Sequence, residues 1–257
     1  MGGRTPRRDT VKIAVSGKGG VGKTTLTALF AREAATRGHP VLVIDADSNP
    51  NLHLALGFSS PPPALVGLKE VMEERMGSLE GFFRLNPRVD DIPDRFSLED
   101  RGIRLLVMGG ISQGGGGCAC PQSAFLRNML QHVMLERSEW VFMDCEAGLE
   151  HLGRATARGA DALLVVVEPS HTSVETGLRI RQLAADIGLS RLYVVGNKVR
   201  DPEDREMIER GMTGLPVLAC LAESPALRHA ARRGVPAQDP DLSATIRTIL
   251  DTIEAGP

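Results

Sequence analysis

Gly17-Lys18-Gly19-Gly20-Val21-Gly22-Lys23-Thr24-Thr25 is the stretch on which the reading of this chain turns. It follows a short apolar run, Val11 to Val15, and precedes an apolar-periodic segment from Leu26 to Ala35. That order predicts strand, glycine-rich loop and helix, the context in which such a loop binds phosphate. Glycines let successive backbone N–H groups turn inward into a concave anion nest. The following helix directs the partial positive charge of its N-terminus at the same place. Lys23 adds a full charge, and the Thr24 hydroxyl is of the type that ligates Mg²⁺. Lys18 is a second lysine inside the loop, one that the phosphates held by its own chain do not require.

Outward from the loop, a helix is expected over Lys23–Arg37, ended by Gly38 with Pro40 shortly after. Val41–Ile44 reads as a buried parallel strand that runs into Asp45-Ala46-Asp47-Ser48-Asn49-Pro50. Carboxylates at the carboxyl end of a strand lie where open α/β sheets bind ligands. Further strands are expected at Ile103–Met108, Trp140–Met143, Ala162–Val167, Leu192–Val195 and Val217–Leu221. Helices are expected at Val66–Arg75, Ser123–Glu136, Ser173–Ile187, Ala226–Arg233 and Asp241–Glu254. This alternation predicts an α/β, three-layer P-loop NTPase fold, with a mostly parallel sheet of about seven strands and helices on both faces. Residues 11–257 are expected to form one domain, with 65–102 an insertion between strands too thinly apolar for a core of its own. Within it Phe82-Phe83-Arg84-Leu85 reads as an edge strand or a buried loop.

Composition excludes little but agrees. The chain has 257 residues, 42% hydrophobic and 24% charged, with a formal net charge of −2. Those values are ordinary for a globular chain and give no sign of nucleic-acid or anionic-membrane binding. Residues 1–10 carry Arg4, Arg7 and Arg8 without an apolar core, which reads as a disordered basic leader and not a signal peptide. The closing helix has an apolar face (Ile246, Ile249, Leu250, Ile253) but no Lys/Arg-rich face, so it is expected to pack on the domain. A cytoplasmic location is expected, and there the four cysteines are candidate metal ligands or core residues before disulfides.

A P-loop NTPase needs an acid at the end of another strand to hold Mg²⁺. Asp144 closes Val141-Phe142-Met143 and fits that place. Of the two acids after Ile44, Asp47 sits further out and is the better candidate for orienting or activating the attacking water. Asp45 serves either the Mg²⁺ shell or the loop backbone. Asn197, after the sixth predicted strand, offers a donor and an acceptor to a purine edge. The GTPase pattern puts an Asp two residues after the following lysine. Here that residue is Arg200, which favours ATP.

Cys118-Ala119-Cys120 is flanked by glycines and by Pro121. Soft thiolates suit Zn²⁺, Ni²⁺ or Cu(I). One chain offers two sulfurs where a closed site wants four donors, and a two-fold homodimer completes the set. The competing reading is two incidental thiols. Cys145 is expected to pack under the nucleotide loop and Cys220 in the core, while His132 reads as a surface histidine.

The loop Gly17–Thr25 resembles the deviant P-loop of the MinD/nitrogenase-iron-protein group of dimeric ATPases. Within that group, Gly115-Gly116-Gly117-Cys118-Ala119-Cys120 resembles the CooC-type accessory proteins for carbon monoxide dehydrogenase maturation. So does Ala147-Gly148-Leu149-Glu150-His151-Leu152-Gly153-Arg154-Ala155-Thr156-Ala157, together with Glu168-Pro169, Thr176-Gly177-Leu178 and Asn197-Lys198-Val199-Arg200. The likeness covers nearly the whole chain after Thr10. It implies an ATPase that couples ATP binding and hydrolysis to nickel insertion into the client enzyme's nickel–iron–sulfur cluster, the metal held by Cys118 and Cys120 across an ATP-stabilised homodimer. It further implies that Lys18 reaches the partner subunit's phosphates, that Asp47 is the switch acid and Asp144 the Walker B-type acid, and that Asn197 touches the base. The cofactors are then ATP and Mg²⁺ with Ni²⁺ or Zn²⁺, and the client is carbon monoxide dehydrogenase or the related acetyl-CoA synthase. A regulatory or partitioning ATPase of the MinD/ParA kind, with incidental cysteines, is the alternative, and an iron–sulfur scaffold a weaker third.

Overall fold

The computed structural model describes residues 10–77, 84–109, 121–146 and 154–256. β1 (Lys12–Gly17) enters the glycine loop and α1 (Lys23–Thr36) leaves it. β2 (Val41–Ala46) includes Asp45 as a strand residue, and α2 (Leu52–Leu56) follows the acidic loop. The continuous helix expected over Val66–Arg75 is instead two pieces, a 3₁₀ turn at Leu65–Gly67 and α3 (Lys69–Met76). Leu68 between them, at φ −85° and ψ 62°, is not helical. The break has a cause: the Val66 N–H donates to the Met108 carbonyl at 3.1 Å, which draws the turn onto the sheet.

α4 (Ile92–Phe96) leads into β3 (Leu98–Asp100) and β4 (Ile103–Val107). These two strands form a hairpin whose loop residues, Arg101 and Gly102, both have positive φ, 50° and 75°. Two such residues make the turn whose twist matches its flanking strands. The remaining elements are α5 (Pro121–Glu136), β5 (Trp140–Cys145), α6 (Arg154–Gly159), β6 (Ala162–Val167) and α7 (His171–Asp186). They continue with β7 (Leu192–Val199), α8 (Pro202–Gly211), β8 (Val217–Ala222), α9 (Pro225–Arg233) and α10 (Pro240–Ala255).

Among the described residues the sheet has eight strands in the order β3-β4-β2-β5-β1-β6-β7-β8, all parallel except the β3–β4 pair. The expected count of about seven misses β3, whose three residues are too few to show a period. The edge-strand reading of Phe82-Phe83-Arg84-Leu85 lies partly outside the described residues. Its described part, Arg84 and Leu85, is not a strand, and Leu85 is 68% exposed.

Two apolar layers flank the sheet. Ile13 and Val15 of β1 face one layer with Phe30 of α1 and Ile246, Ile249, Leu250 and Ile253 of α10. Ala14 faces the other, with Leu42 and Ile44 of β2 and Phe125, Met129 and Val133 of α5. Strands buried on both faces are what parallel α/β sheets require. The C-terminal helix packs on the domain as its apolar face predicts. Cys220 differs from expectation: it is half-buried, because β8 is the sheet's outermost strand. Among the described residues no helix is long and apolar enough to cross a membrane.

Candidate nucleotide site

β1 lies between β5 and β6, so the glycine loop emerges at the middle of the sheet's carboxyl edge. Its glycines are demanded by crowding as well as by dihedrals. A Cβ on Gly17 would lie 2.3 Å from the Val166 carbonyl oxygen, and one on Gly22, at φ 101°, would lie 2.5 Å from Asn197 Nδ2. The loop is therefore pressed against β6 and β7. Asn197 donates to the Val21 carbonyl at 2.7 Å, and Lys198 donates to the Gly20 carbonyl at 2.6 Å while paired with Glu168 at 2.9 Å. Lys198 does this from a left-handed backbone, φ 59°. These bonds hold the outer carbonyls of the loop from behind.

The start of α1 is shaped for an anion. Its N-cap is Gly22, no side chain caps it, and its first turn holds no acid. Four later helices are capped by their own side chains: Ser170, Asp201, Ser224 and Asp239 accept from the N–H groups of α7, α8, α9 and α10. The first N–H groups of a helix need a partner, and an uncapped start directly behind a glycine loop has the form of an anion site. Lys23 is only 7% exposed, and its Nζ turns back to the Lys18 carbonyl at 3.3 Å. Gly19 and Gly20 lie in open space, so their backbone is not crowded by neighbours. Thr25 sits beside Thr24 at the start of α1, and both border a cavity of about 240 Å³ shared with Asn51 and Leu54.

Asp45 and Asp144 are register partners on the adjacent strands β2 and β5. Both are almost fully buried. Burial pushes the Asp144 carboxyl up to about 7, opposed by its hydrogen bond with Thr24 and reinforced by the Asp45 charge. Among the described residues, one of its oxygens, Oδ1, has no hydrogen-bond partner. A buried carboxylate oxygen left unpaired beside Thr24 and Lys23 fits a divalent cation's shell, the donor set being hard oxygen. Burial likewise raises Asp45 to about 6, although it accepts from the backbone N–H groups of Leu52 at 3.0 Å and Asp47 at 3.2 Å. Asp45 thus serves the loop backbone. Asp47 lies further out and half-buried, its own Oδ1 accepting from the Asn49 N–H at 2.9 Å.

Three further residues belong to the site and were not singled out by their sequence. The Ser48 hydroxyl donates to Glu146 Oε1 at 3.0 Å, and the Ser16 hydroxyl donates to the Glu146 carbonyl at 3.2 Å. Their signal in the sequence is only position, Ser48 next to Asp47 and Glu146 two after Asp144. Lys18 rests on Thr172 in the first turn of α7, Nζ to Oγ1 2.9 Å. Its ammonium therefore lies on α7 while that of Lys23 stays at the loop.

Cys118 and Cys120 lie outside the described residues, immediately before α5. Cys145 is buried at the end of β5, in the layer opposite to that of Val21 of the loop. His132 bonds Glu136 one turn along α5 at 3.0 Å.

Residues 12–237 match the family model described as the CobQ/CobB/MinD/ParA nucleotide binding domain. An uncharacterized ATP-binding protein of Methanocaldococcus jannaschii is 43% identical over 203 residues, 77% of this chain and 79% of its own length. The carbon monoxide dehydrogenase accessory protein CooC of Rhodospirillum rubrum is 38% identical over 239 residues, 89% of this chain and 90% of its own. Among solved structures, the septum site-determining protein MinD of Pyrococcus horikoshii, complexed with Mg-ADP, superposes with a TM-score of 0.67 at 21% identity, covering 94% of this chain and 95% of its own.

Proposed function

This chain belongs to the CobQ/CobB/MinD/ParA family of P-loop ATPases, and on that premise we propose that it is a metallochaperone ATPase whose cargo is a nickel ion. The client is carbon monoxide dehydrogenase or the related acetyl-CoA synthase, in the cytoplasm. The observation that carries the reading is the pair Cys118 and Cys120 in a chain 38% identical to CooC of Rhodospirillum rubrum over 239 residues.

The loop Gly17–Thr25 binds the ATP phosphates through its N–H groups, the uncapped start of α1 and the Lys23 ammonium. Asn197 contacts the base. Thr24, Asp144 and Asp47 hold Mg²⁺ or its water shell, and the unpaired Asp144 oxygen supports this. When bound, Mg²⁺ supplies charge neutralisation on the phosphates. Asp47 orients the attacking water. Lys18 leaves Thr172 and reaches the phosphates of a second copy, so ATP closes a homodimer. Closure brings two Cys-X-Cys pairs together as four thiolates around one Ni²⁺ or Zn²⁺ ion. Hydrolysis opens the dimer and releases the cargo.

The test is a metal titration of the double variant Cys118→Ser, Cys120→Ser with ATP present. It is expected to lose stoichiometric Ni²⁺ and Zn²⁺ binding and to bind ATP as the wild type does. Retained metal would overturn the cysteine site and leave a regulatory ATPase with incidental thiols.

A further inference from the structure

The carboxyl ends of β1, β2 and β5 carry the glycine loop, the Asp47 loop and Asp144. Among the described residues, Glu146 joins all three segments. Glu146 follows β5, accepts from Ser16 of β1 through its backbone carbonyl, and accepts from Ser48 of the Asp47 loop through its side chain.

Among the described residues, the loop bearing Asp47 is otherwise held at its two ends, by β2 on one side and on the other by α2, whose Leu52 is buried with Leu26 and Phe30 of α1. Asp45 accepts from the N–H groups of Asp47 and Leu52, and Asp47 accepts from that of Asn49. Those bonds fix the local turn. They do not fix where its tip stands relative to the glycine loop, which belongs to a strand two places away across β5. The Ser48–Glu146 bond supplies that registration, and Ser16 locks the other side of Glu146 to the strand that feeds the loop. A hydrogen bond to a charged acceptor is stronger than one between neutral groups.

We propose that Glu146 is a positioning residue for ATP hydrolysis: through Ser48 it registers the loop carrying Asp47 against the glycine loop. This rests on Asp47 as the residue that orients the attacking water. Glu146 touches no phosphate in this assignment and acts only on where Asp47 stands.

The experiment is steady-state ATPase kinetics on Ser48→Ala, Glu146→Ala, Glu146→Gln and the Ser48→Ala, Glu146→Ala double variant, with Asp47→Asn alongside. Ser48→Ala and Glu146→Ala are expected to lower kcat about three- to tenfold with KM for ATP unchanged, as loss of one charge-assisted hydrogen bond implies. Glu146→Gln, which keeps the acceptor oxygen, is expected within about twofold of wild type, and the double variant is expected to be no worse than either single one. A silent Ser48→Ala, additive losses, a loss carried by KM, or a Gln variant as poor as the Ala variant each overturns the proposal. Asp47→Asn reports on the premise separately. If it keeps its kcat, the role of Asp47 is wrong, whereas coupling between Ser48 and Glu146 is still read from the double-variant cycle.

Discussion

Two groups of acids in this molecule have opposite electrostatics. At the sheet's carboxyl edge, Asp45 and Asp144 are buried side by side, raised to about 6 and about 7, and Asp144 keeps an unpaired oxygen. Near the insertion, Asp94 of α4 and Glu139 before β5 are bound by two arginines. Arg104 bonds both acids, and Arg137 bonds Glu139 at 2.6 Å and Asp94 at 2.8 Å. The Arg137 hydrogen bond, with that of Arg104, holds the Asp94 carboxyl below its usual range. The second group is complete in itself and fastens α4 to β4 and β5. The first is a cost carried by the fold until a cation arrives.

The sharpest way to break this contrast is Asp144→Asn, which is expected to lower ATPase activity by roughly a hundredfold or more, as removal of one preorganised electrostatic group does. The same change is expected to stabilise the nucleotide-free protein. The folded Asp144 titrates near 7 against 3.8 as the ordinary value, so between these the native state holds the extra proton and stability falls as pH rises. By pH 8 the cost is fully present, on the order of 4 kcal/mol at most, and Asn removes it. Thermal melts without nucleotide should show the gain at pH 8 and not at pH 4. Equal shifts at both would contradict the burial cause.

A smaller effect is expected at the other group. Asp94→Ala should cost about 1 kcal/mol, because its carboxylate is 55% exposed and solvent screens it. The lowered Asp94 has the opposite sign: its contribution is present above the ordinary carboxylate range and lost as pH falls through it. ATPase rates should stay within about twofold of wild type, since nothing at the nucleotide loop depends on it. A large loss of activity would show that the insertion bears on the site.

The nucleotide loop was legible in the sequence because its chemistry is local. Gly17, Gly22, Lys23 and Thr24 stand at fixed offsets after an apolar run, and Gly17 and Gly22 prove to be the positions where a Cβ would collide. The acids were legible for a similar reason, each ending an apolar run. The β3–β4 hairpin was not: three residues carry no period, and Arg101-Gly102 is a turn only once both adopt positive φ. α2 and α4, of five residues each, fall below the length at which an apolar stripe repeats. α8 was not expected either, although Asp201 as N-cap and Pro202 at the first position mark its start, a signal that periodicity alone passes over. The Ser48–Glu146 and Lys18–Thr172 contacts join residues 98 and 154 positions apart, so they follow from strand order and not from any local pattern. Cys118 and Cys120 lie outside the described residues.

In the function proposed above, the nucleotide loop serves two subunits, with Lys18 as the residue that crosses between them. Sedimentation velocity on wild type and Lys18→Ala, with Mg²⁺ and a hydrolysis-resistant ATP analogue, measures this directly. A dimer is expected for the wild type and a monomer for the variant, both binding the analogue with similar affinity because Lys23 remains at the loop. A Lys18→Ala protein that dimerises with the analogue as fully as wild type would contradict it.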